Sequence, residues 1–296
     1  MSLKISVVQP ATHAPPDDER NVADAVAYVE RAAAEGADFV TFPESYPGPW
    51  RMPASFDPVP ELADAARRCD VHVVFGTLEP IDEGDGSAHN LVVLAHPGGR
   101  EPTIYRRTHP PGPWIYAGGD RWDFRYVAGD DSVVVPTALA TVGLGMCSEV
   151  YMPEVARTLA LRGAELIFLP AGIDKQRLWA TWRTLIWARA IENLAVVVTT
   201  QNLFTGGERG LAMVAAPEEI LLEETGPGMF VVDVDLDRVR ELRASEDELT
   251  AGRHQAAKAG VLSQWQRPEL WPASHPGLDG SVAGYPANAS AFPAQS

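Results

Sequence analysis

Residues 141–169 read TVGLGMCSEVYMPEVARTLALRGAELIFL. Positions 141–146 are mostly apolar and β-prone, and they run directly into Cys147. Pro153 then opens a stretch, 153–161, with helical spacing, and proline is tolerated in the first turn of a helix. A second apolar run, ELIFL at 165–169, follows at once. It lacks the alternation of a half-exposed strand, which predicts a strand covered on both faces. Strand, helix and strand in so short a span is the pattern of an α/β protein.

The same alternation extends outward. Toward the N-terminus the sequence predicts a strand at 3–8 and a helix at 17–34. Val22, Ala25, Val26, Val29, Ala32 and Ala33 share one face of that helix, and Gly36 stops it. A strand at 37–42, a short helix at 62–69 and a strand at 71–77 follow. Two more strands, 91–95 and 103–106, are joined through a His-Pro-Gly-Gly turn at 96–99. Residues 132–135 add another. Toward the C-terminus come a long helix at 178–193 and a buried strand at 195–200. Strands at 211–215, 220–223 and 229–234 precede a last helix at 235–242. Several neighbours are joined by tight turns, so the expected sheet is mixed. From about residue 272 the chain is rich in Pro, Ala, Gly and Ser and has no periodicity. The expected organisation is therefore one domain over 1–271 and an irregular tail over 272–296. Tyr285 and Phe292 could pack that tail on the body or on a partner subunit.

Composition narrows the class of function. The chain has 296 residues, 46% of them hydrophobic, enough for a sizeable core. Its formal net charge is −16, which repels phosphate backbones and anionic lipid, so neither nucleic acid nor membrane is expected as a partner. The two cysteines, Cys69 and Cys147, lie far apart with no CxxC spacing and no histidine cluster. Neither a zinc site nor a disulfide framework is expected. The N-terminal MSLKISVVQP reads as a first strand and not as a signal peptide, and no apolar run is long enough to span a bilayer. A reduced, cytoplasmic setting is the expectation, which leaves the Asn288 sequon without meaning for glycosylation.

Three segments can carry chemistry. Cys147 ends a strand on the turn into a helix, a place where α/β proteins expose reactive groups and where helix amides favour a thiolate. By itself, a small buried hydrophobe is the plainer reading, as for most free cysteines. Glu44 follows the apolar strand 37–42 in Phe42-Pro43-Glu44. Desolvated, it would suit a general base; on an open loop, it would cap an amide. Arg106 and Arg107 sit side by side in IYRRTHPPGP, 104–113. A guanidinium stays protonated and offers five donors in a fixed fork, apt for an oxyanion or a carboxylate. Two solvated charges at a strand end are the plainer reading.

Taken together and in this order, the segments resemble the nitrilase superfamily of carbon–nitrogen hydrolases, over residues 3–271. Phe42-Pro-Glu44 is similar to the family's glutamate motif, and Tyr105-Arg-Arg107-Thr-His109 to its lysine motif, Tyr-Arg-Lys-Thr-His. Gly145-Met-Cys147-Ser-Glu149, with Met152-Pro-Glu-Val-Ala-Arg157 and Arg162-Gly-Ala-Glu165, resembles its cysteine motif. Trp182-Arg-Thr-Leu and Ala188-Arg-Ala-Ile-Glu-Asn193 resemble its following helix, and Arg267-Pro-Glu-Leu-Trp271 its closing motif. The resemblance implies a four-layer α-β-β-α sandwich. It also implies homodimers or higher homo-oligomers, and catalysis with no cofactor and no metal. It places the general base on Glu44 and the nucleophile on Cys147. Arg107 falls in the position of the lysine that holds the tetrahedral intermediate, with the backbone N–H of Ser148 as second oxyanion donor.

The chain departs from that pattern in three places. Arg107 replaces the lysine and, unlike it, cannot shuttle a proton. Residues 108–119 lack the further glutamate that many members carry there; Asp120 and Asp123 are the nearest carboxylates. Trp114 and Tyr116 take up that loop and would line an apolar pocket. Ser148 stands where the family has Tyr or Trp, and Glu149 beside it resembles the Cys-Trp-Glu of the nitrilase branch. Ser148, Trp114, Tyr116 and Glu149 are accordingly the expected oxyanion and substrate contacts. The implied activity is cysteine-dependent hydrolysis of a small amide through a thioester. A nitrile substrate reacting through a thioimidate and an inactive, binding member of the family remain as alternatives.

Overall fold

Two β-sheets divide the strands. The computed structural model describes residues 2–109, 117–172, 178–245 and 261–262. In the first sheet, β1 (Ser2–Gln9), β2 (Phe39–Thr41) and β3 (His72–Asp82) run parallel. β4 (Ser87–Ala95) and β5 (Thr103–Arg106) continue it antiparallel, and the two-residue β6 (Arg125–Tyr126) pairs with β4. The second sheet holds β7 (Val133–Pro136), β8 (Thr141–Leu144), β9 (Leu166–Phe168), β10 (Val196–Thr199), β11 (Ala212–Ala215) and β12 (Ile220–Glu224), in the spatial order β12-β11-β10-β9-β8-β7. β13 (Gly228–Asp235) returns to the first sheet and pairs with β1 along its whole length.

Helices close the two outer faces. α1 (Arg20–Ala34) and α2 (Val59–Cys69) pack on the first sheet through Ala25, Val29, Leu62 and Ala65, against Val40, Val73 and Phe75. α3 (Pro153–Leu161) and α4 (Trp179–Asn193) cover the second through Leu159, Trp182 and Ile186. α5 (Leu236–Ala244) follows β13 and is capped by Asp235, whose carboxylate accepts from the amides of Asp237 and Arg238. The strands' period of two sends Ile5, Val7, Phe39, Val74 and Val92 the other way, into the space between the sheets. There they meet Val142, Leu144, Leu166, Phe168, Val196 and Val198, and the Phe39 and Phe168 rings lie 5.8 Å apart. Each such side chain contributes about 1.5–3 kcal/mol when fully buried. The result is a four-layer α-β-β-α sandwich.

The element positions follow the sequence pattern closely, with two differences. The division of the strands into two sheets agrees with the sandwich that the resemblance implies; local periodicity by itself carries no record of which strands pair. The β3–β4 hairpin runs on past residue 77, where Glu79-Pro80 looks like a strand end. The pairing survives there because the register shifts between Pro80 and Asp82, where a missing N–H can be tolerated. β6 is too short to leave a periodic trace. The tail 272–296 and the closing motif 267–271 lie outside the described residues.

The topology also sets where a site can form. β1, β2 and β3 are parallel, as are β8, β9 and β10, and β5 runs in the direction of β3 because two antiparallel pairings separate them. The chain leaves β2 toward Glu44, β5 toward Arg107 and β8 toward Cys147, in each case from the carboxyl end of a strand. That end is where α/β sheets place ligand-binding loops.

Candidate active site

Glu44 is held by its backbone first. Its amide donates to the carbonyl of Ala171 (3.1 Å), and its carbonyl accepts from Asn202 Nδ2 (2.9 Å). The turn continues through Ser45 in the left-handed region, φ 55°, and β3 passes so close that a Cβ on Gly76 would lie 2.2 Å from the Ser45 nitrogen. Only glycine fits at 76. The carboxylate is 1% exposed. Its Oε1 accepts from Arg107 Nη1 (2.9 Å) and from Asn90 Nδ2 (3.1 Å), and Asn90 Oδ1 in turn accepts from Ser45 Oγ (3.0 Å). A Cβ on Gly172 would sit 2.7 Å from Glu44 Oε2 and 3.5 Å from Trp122 Cζ2, so the carboxylate and the indole edge flank the same point.

The two arginines part company at once. Strand alternation turns Arg106 outward, where it makes a two-pronged, exposed ion pair with Glu79. Arg107 turns inward and is fully buried. Its backbone is pinned on both sides: its amide donates to Asn90 (3.0 Å), and its carbonyl accepts from Gly129 N (2.8 Å) and the Tyr126 hydroxyl (2.9 Å). Its guanidinium donates from Nε to the His109 carbonyl (3.1 Å), from Nη1 to Glu44 and from Nη2 to Ser148 Oγ. A buried cation needs that density of acceptors, because desolvating it costs several kcal/mol.

Cys147 sits where β8 gives way to a 3-10 turn, Cys147–Tyr151. Its amide donates to Pro170 (2.8 Å), its φ is 48°, and it is 6% exposed. A non-glycine residue in the left-handed region is uncommon and is over-represented at functional turns. Arg189 of α4 braces the turn by donating from Nε to the Val150 carbonyl (2.9 Å). Ser148, next in the turn, meets Arg107 with its side chain.

Glu149, expected among the substrate contacts, is held within the protein. It is 1% exposed, and the protein itself supplies its donors. Oε1 accepts from the Tyr105 hydroxyl (2.6 Å), the amides of Thr108 (3.1 Å) and His109 (3.0 Å), and Thr108 Oγ1 (3.0 Å). Oε2 accepts from the Met146 amide (2.7 Å). Burial alone would raise this carboxyl; the His109 hydrogen bond, the Arg107 charge and the Tyr105 hydroxyl overcome it and hold the carboxyl below its usual range. Burial, followed by the Glu149 charge, pushes the Tyr105 phenol well above its ordinary value.

The structure thus brings Glu44, Arg107, Cys147, Ser148 and Glu149 into one neighbourhood spanning both sheets. Trp114 and Tyr116 lie outside the described residues. Among the described residues, the aromatic surface beside Glu44 is Trp122, clustered with Trp50 (6.1 Å) and Phe204 (5.7 Å). Asp123 accepts from the Gly118 amide, within its own loop. Sequence reading missed Asn90, Thr108, Trp122 and Asn202. Asn90 had a usable signal, a lone amide side chain in the middle of the buried strand SAHNLVVLA. Among the described residues no cluster of three or more His, Cys, Asp or Glu could hold a metal ion, and no helix is long and apolar enough to cross a membrane.

A carboxylate, a thiol and a guanidinium in a buried setting can deprotonate, attack and stabilise an oxyanion. Comparison with known proteins bears on the same segments. The profile of the carbon-nitrogen hydrolase family matches residues 4–244. The chain is 26% identical over 246 residues to a deaminated glutathione amidase of Synechocystis sp., covering 77% of this chain and 90% of that one. It is 25% identical over 242 residues to the human omega-amidase NIT2, covering 75% and 86% respectively. In fold it is similar to an amidase of Nesterenkonia sp., with a TM-score of 0.67 and 22% identity over 80% of this chain and 92% of the other. Another structure of that amidase, a variant with an acetamide group covalently added at the active-site cysteine, aligns with a TM-score of 0.69 at 23% identity, over 82% and 94%. With the family profile spanning both sheets and all three candidate catalytic segments, the chain belongs to the carbon–nitrogen hydrolase family.

Proposed function

We propose that this protein is a cysteine-dependent amidase that hydrolyses a small-molecule amide through a thioester. The observation that carries the proposal is the shared guanidinium: Arg107 donates at once to Glu44 and to Ser148, the neighbour of Cys147. A base, a nucleophile and an oxyanion donor are thereby tied to one buried group. Relatives named as amidases support the choice of amide over nitrile.

Glu44 takes the thiol proton as the Cys147 sulfur attacks the amide carbon. The carbonyl oxygen becomes an oxyanion, held by the Arg107 guanidinium and the Ser148 backbone N–H. As the intermediate collapses, the C–N bond breaks and Glu44 returns its proton to the leaving nitrogen, releasing ammonia or an amine. Water then attacks the thioester with Glu44 again as base, and the acid leaves as the thiol re-forms. Arginine stays protonated throughout, so every proton transfer falls to Glu44. Trp122, beside Glu44, would border the substrate.

The test is ammonia release from paired panels of small amides and their nitriles, with intact-mass trapping of an acyl adduct on Cys147. Amide turnover abolished by Cys147→Ala supports the proposal. Turnover of nitriles alone would replace it with a nitrile-converting enzyme, and no turnover of either panel would remove it.

A further inference from the structure

We infer that Glu149 is a positioning residue that locks the cysteine turn to the arginine strand end. Its role rests on the amidase reading for its kinetic consequence, but the lock itself is visible in the geometry. The site is assembled from two sheets, and the residues that must register with one another, Arg107 and Cys147, come from different ones. Arg107 to Ser148 is a second described connection between the two segments, and the His109 side chain also approaches Glu149, 3.7 Å from its Oε1. Glu149 crosses with both oxygens. Oε2 takes the amide of Met146, immediately before the nucleophile, and Oε1 takes the amides of Thr108 and His109, immediately after the arginine. The Tyr105 and Thr108 hydroxyls complete the cradle from β5 and its exit.

This bridge has properties that a generic core contact lacks. Hydrogen bonds to an ionised carboxylate are shorter and about twice as strong as neutral ones. The acceptor is rigid, because a short 3-10 turn holds it and its own amide donates back to Met146 O (3.0 Å). The residues it fixes are the two neighbours that set the direction of the Cys147 and Arg107 side chains. Glu149 is therefore not a substrate contact and not a proton carrier; it acts through Arg107 and Cys147.

Charge-neutral variants at the rim of the cradle give the cleanest test. Tyr105→Phe and Thr108→Val each remove hydroxyl donors to Oε1 and leave the carboxylate in place. Two measurements are made on the full chain: kcat and KM on an amide that the parent hydrolyses, and the rate of alkylation of Cys147 against Cys69 by iodoacetamide, read by peptide mass. Each variant is expected to lose roughly 10- to 150-fold in kcat with KM within threefold of the parent, the range set by a hydrogen bond to a charged group. Cys147 is expected to be alkylated several-fold faster, because a loosened turn uncovers a buried thiol, with Cys69 unchanged. Glu149→Gln should show the same pattern more strongly, with Glu149→Asp recovering part of kcat. Should both rim variants keep kcat and Cys147 alkylation within twofold of the parent, the inference is overturned. Equal acceleration at both cysteines would also overturn it, since that reports general loosening. A parent that hydrolyses no amide would remove the proposed function yet leave the alkylation ratio to decide the lock.

Discussion

Arg107 concentrates the chemistry of single residues. A lysine ammonium is one point charge, whereas this guanidinium meets Glu44, the His109 carbonyl and Ser148 with three different nitrogens. Arg107→Lys keeps the charge but cannot reach all three acceptors, so kcat is expected to fall by about 10²- to 10³-fold, the usual range for loss of an oxyanion donor. Arg107→Ala also leaves Glu44 buried without its cation. Its loss of stability, about 3–5 kcal/mol, should appear as a lowered urea midpoint together with near-complete loss of turnover. Asn90→Leu tests the other arm on Glu44: with that donor gone, kcat should fall about tenfold while the fold persists, as judged by the same kinetics and an unchanged circular dichroism spectrum. Glu44, Arg107 and Cys147 are legible as candidates because each follows a strand in a recognisable motif. Asn90 and Thr108 are not, since a partner fixed by a sheet register shows no spacing rule along the chain.

Elements place these residues only where backbones can approach. The turn after β2 is pressed against β3 at Gly76, and the obstacle there is the Ser45 backbone, not a side chain that could swing aside. Gly76→Ala must therefore push β3 away from the Glu44 turn and is expected to cost more than about 3 kcal/mol, with activity lost alongside. Gly98→Ala makes the contrast. Gly98 has φ 72° with nothing within 4 Å of an added Cβ, so its substitution should cost only about 1 kcal/mol of backbone strain and leave turnover intact. Thermal melts of both variants decide between the two mechanisms. Most elements could be read from periodicity, and α3 even begins at its proline. The hairpin beyond residue 77 could not, because Pro80 in a strand is acceptable only at a register shift that the sequence does not announce.

At the scale of the whole molecule, the candidate site depends on the docking of two sheets. Glu44 and Arg107 belong to one and Cys147, Ser148 and Glu149 to the other, so anything that weakens the layer between the sheets also dismantles the site. Alternation along the chain predicts the apolar faces of that layer but not their partition into two sheets. His72 is a titratable group at its border. It pairs in register with Phe39, stacks on that ring at 4.6 Å, and meets His96 edge-on at 5.3 Å, while Phe39 abuts Phe168 of the second sheet. Burial first, then the charges of His96 and Arg100, lower its pKa from 6.5 to about 4. The folded imidazole is thus neutral where the unfolded one is already protonated. The associated stability is complete above pH 6.5 and drains away as the pH falls toward 4, by about 3 kcal/mol in all. Glu149, held below the usual carboxylate range, adds its own loss only at lower pH, as the folded carboxyl takes up its proton. Urea midpoints at pH 7, 5.5 and 4.5 should therefore decline in the parent and decline less in His72→Phe, with residual activity tracking the midpoint in each. Parallel slopes in the two proteins would place the acid sensitivity elsewhere.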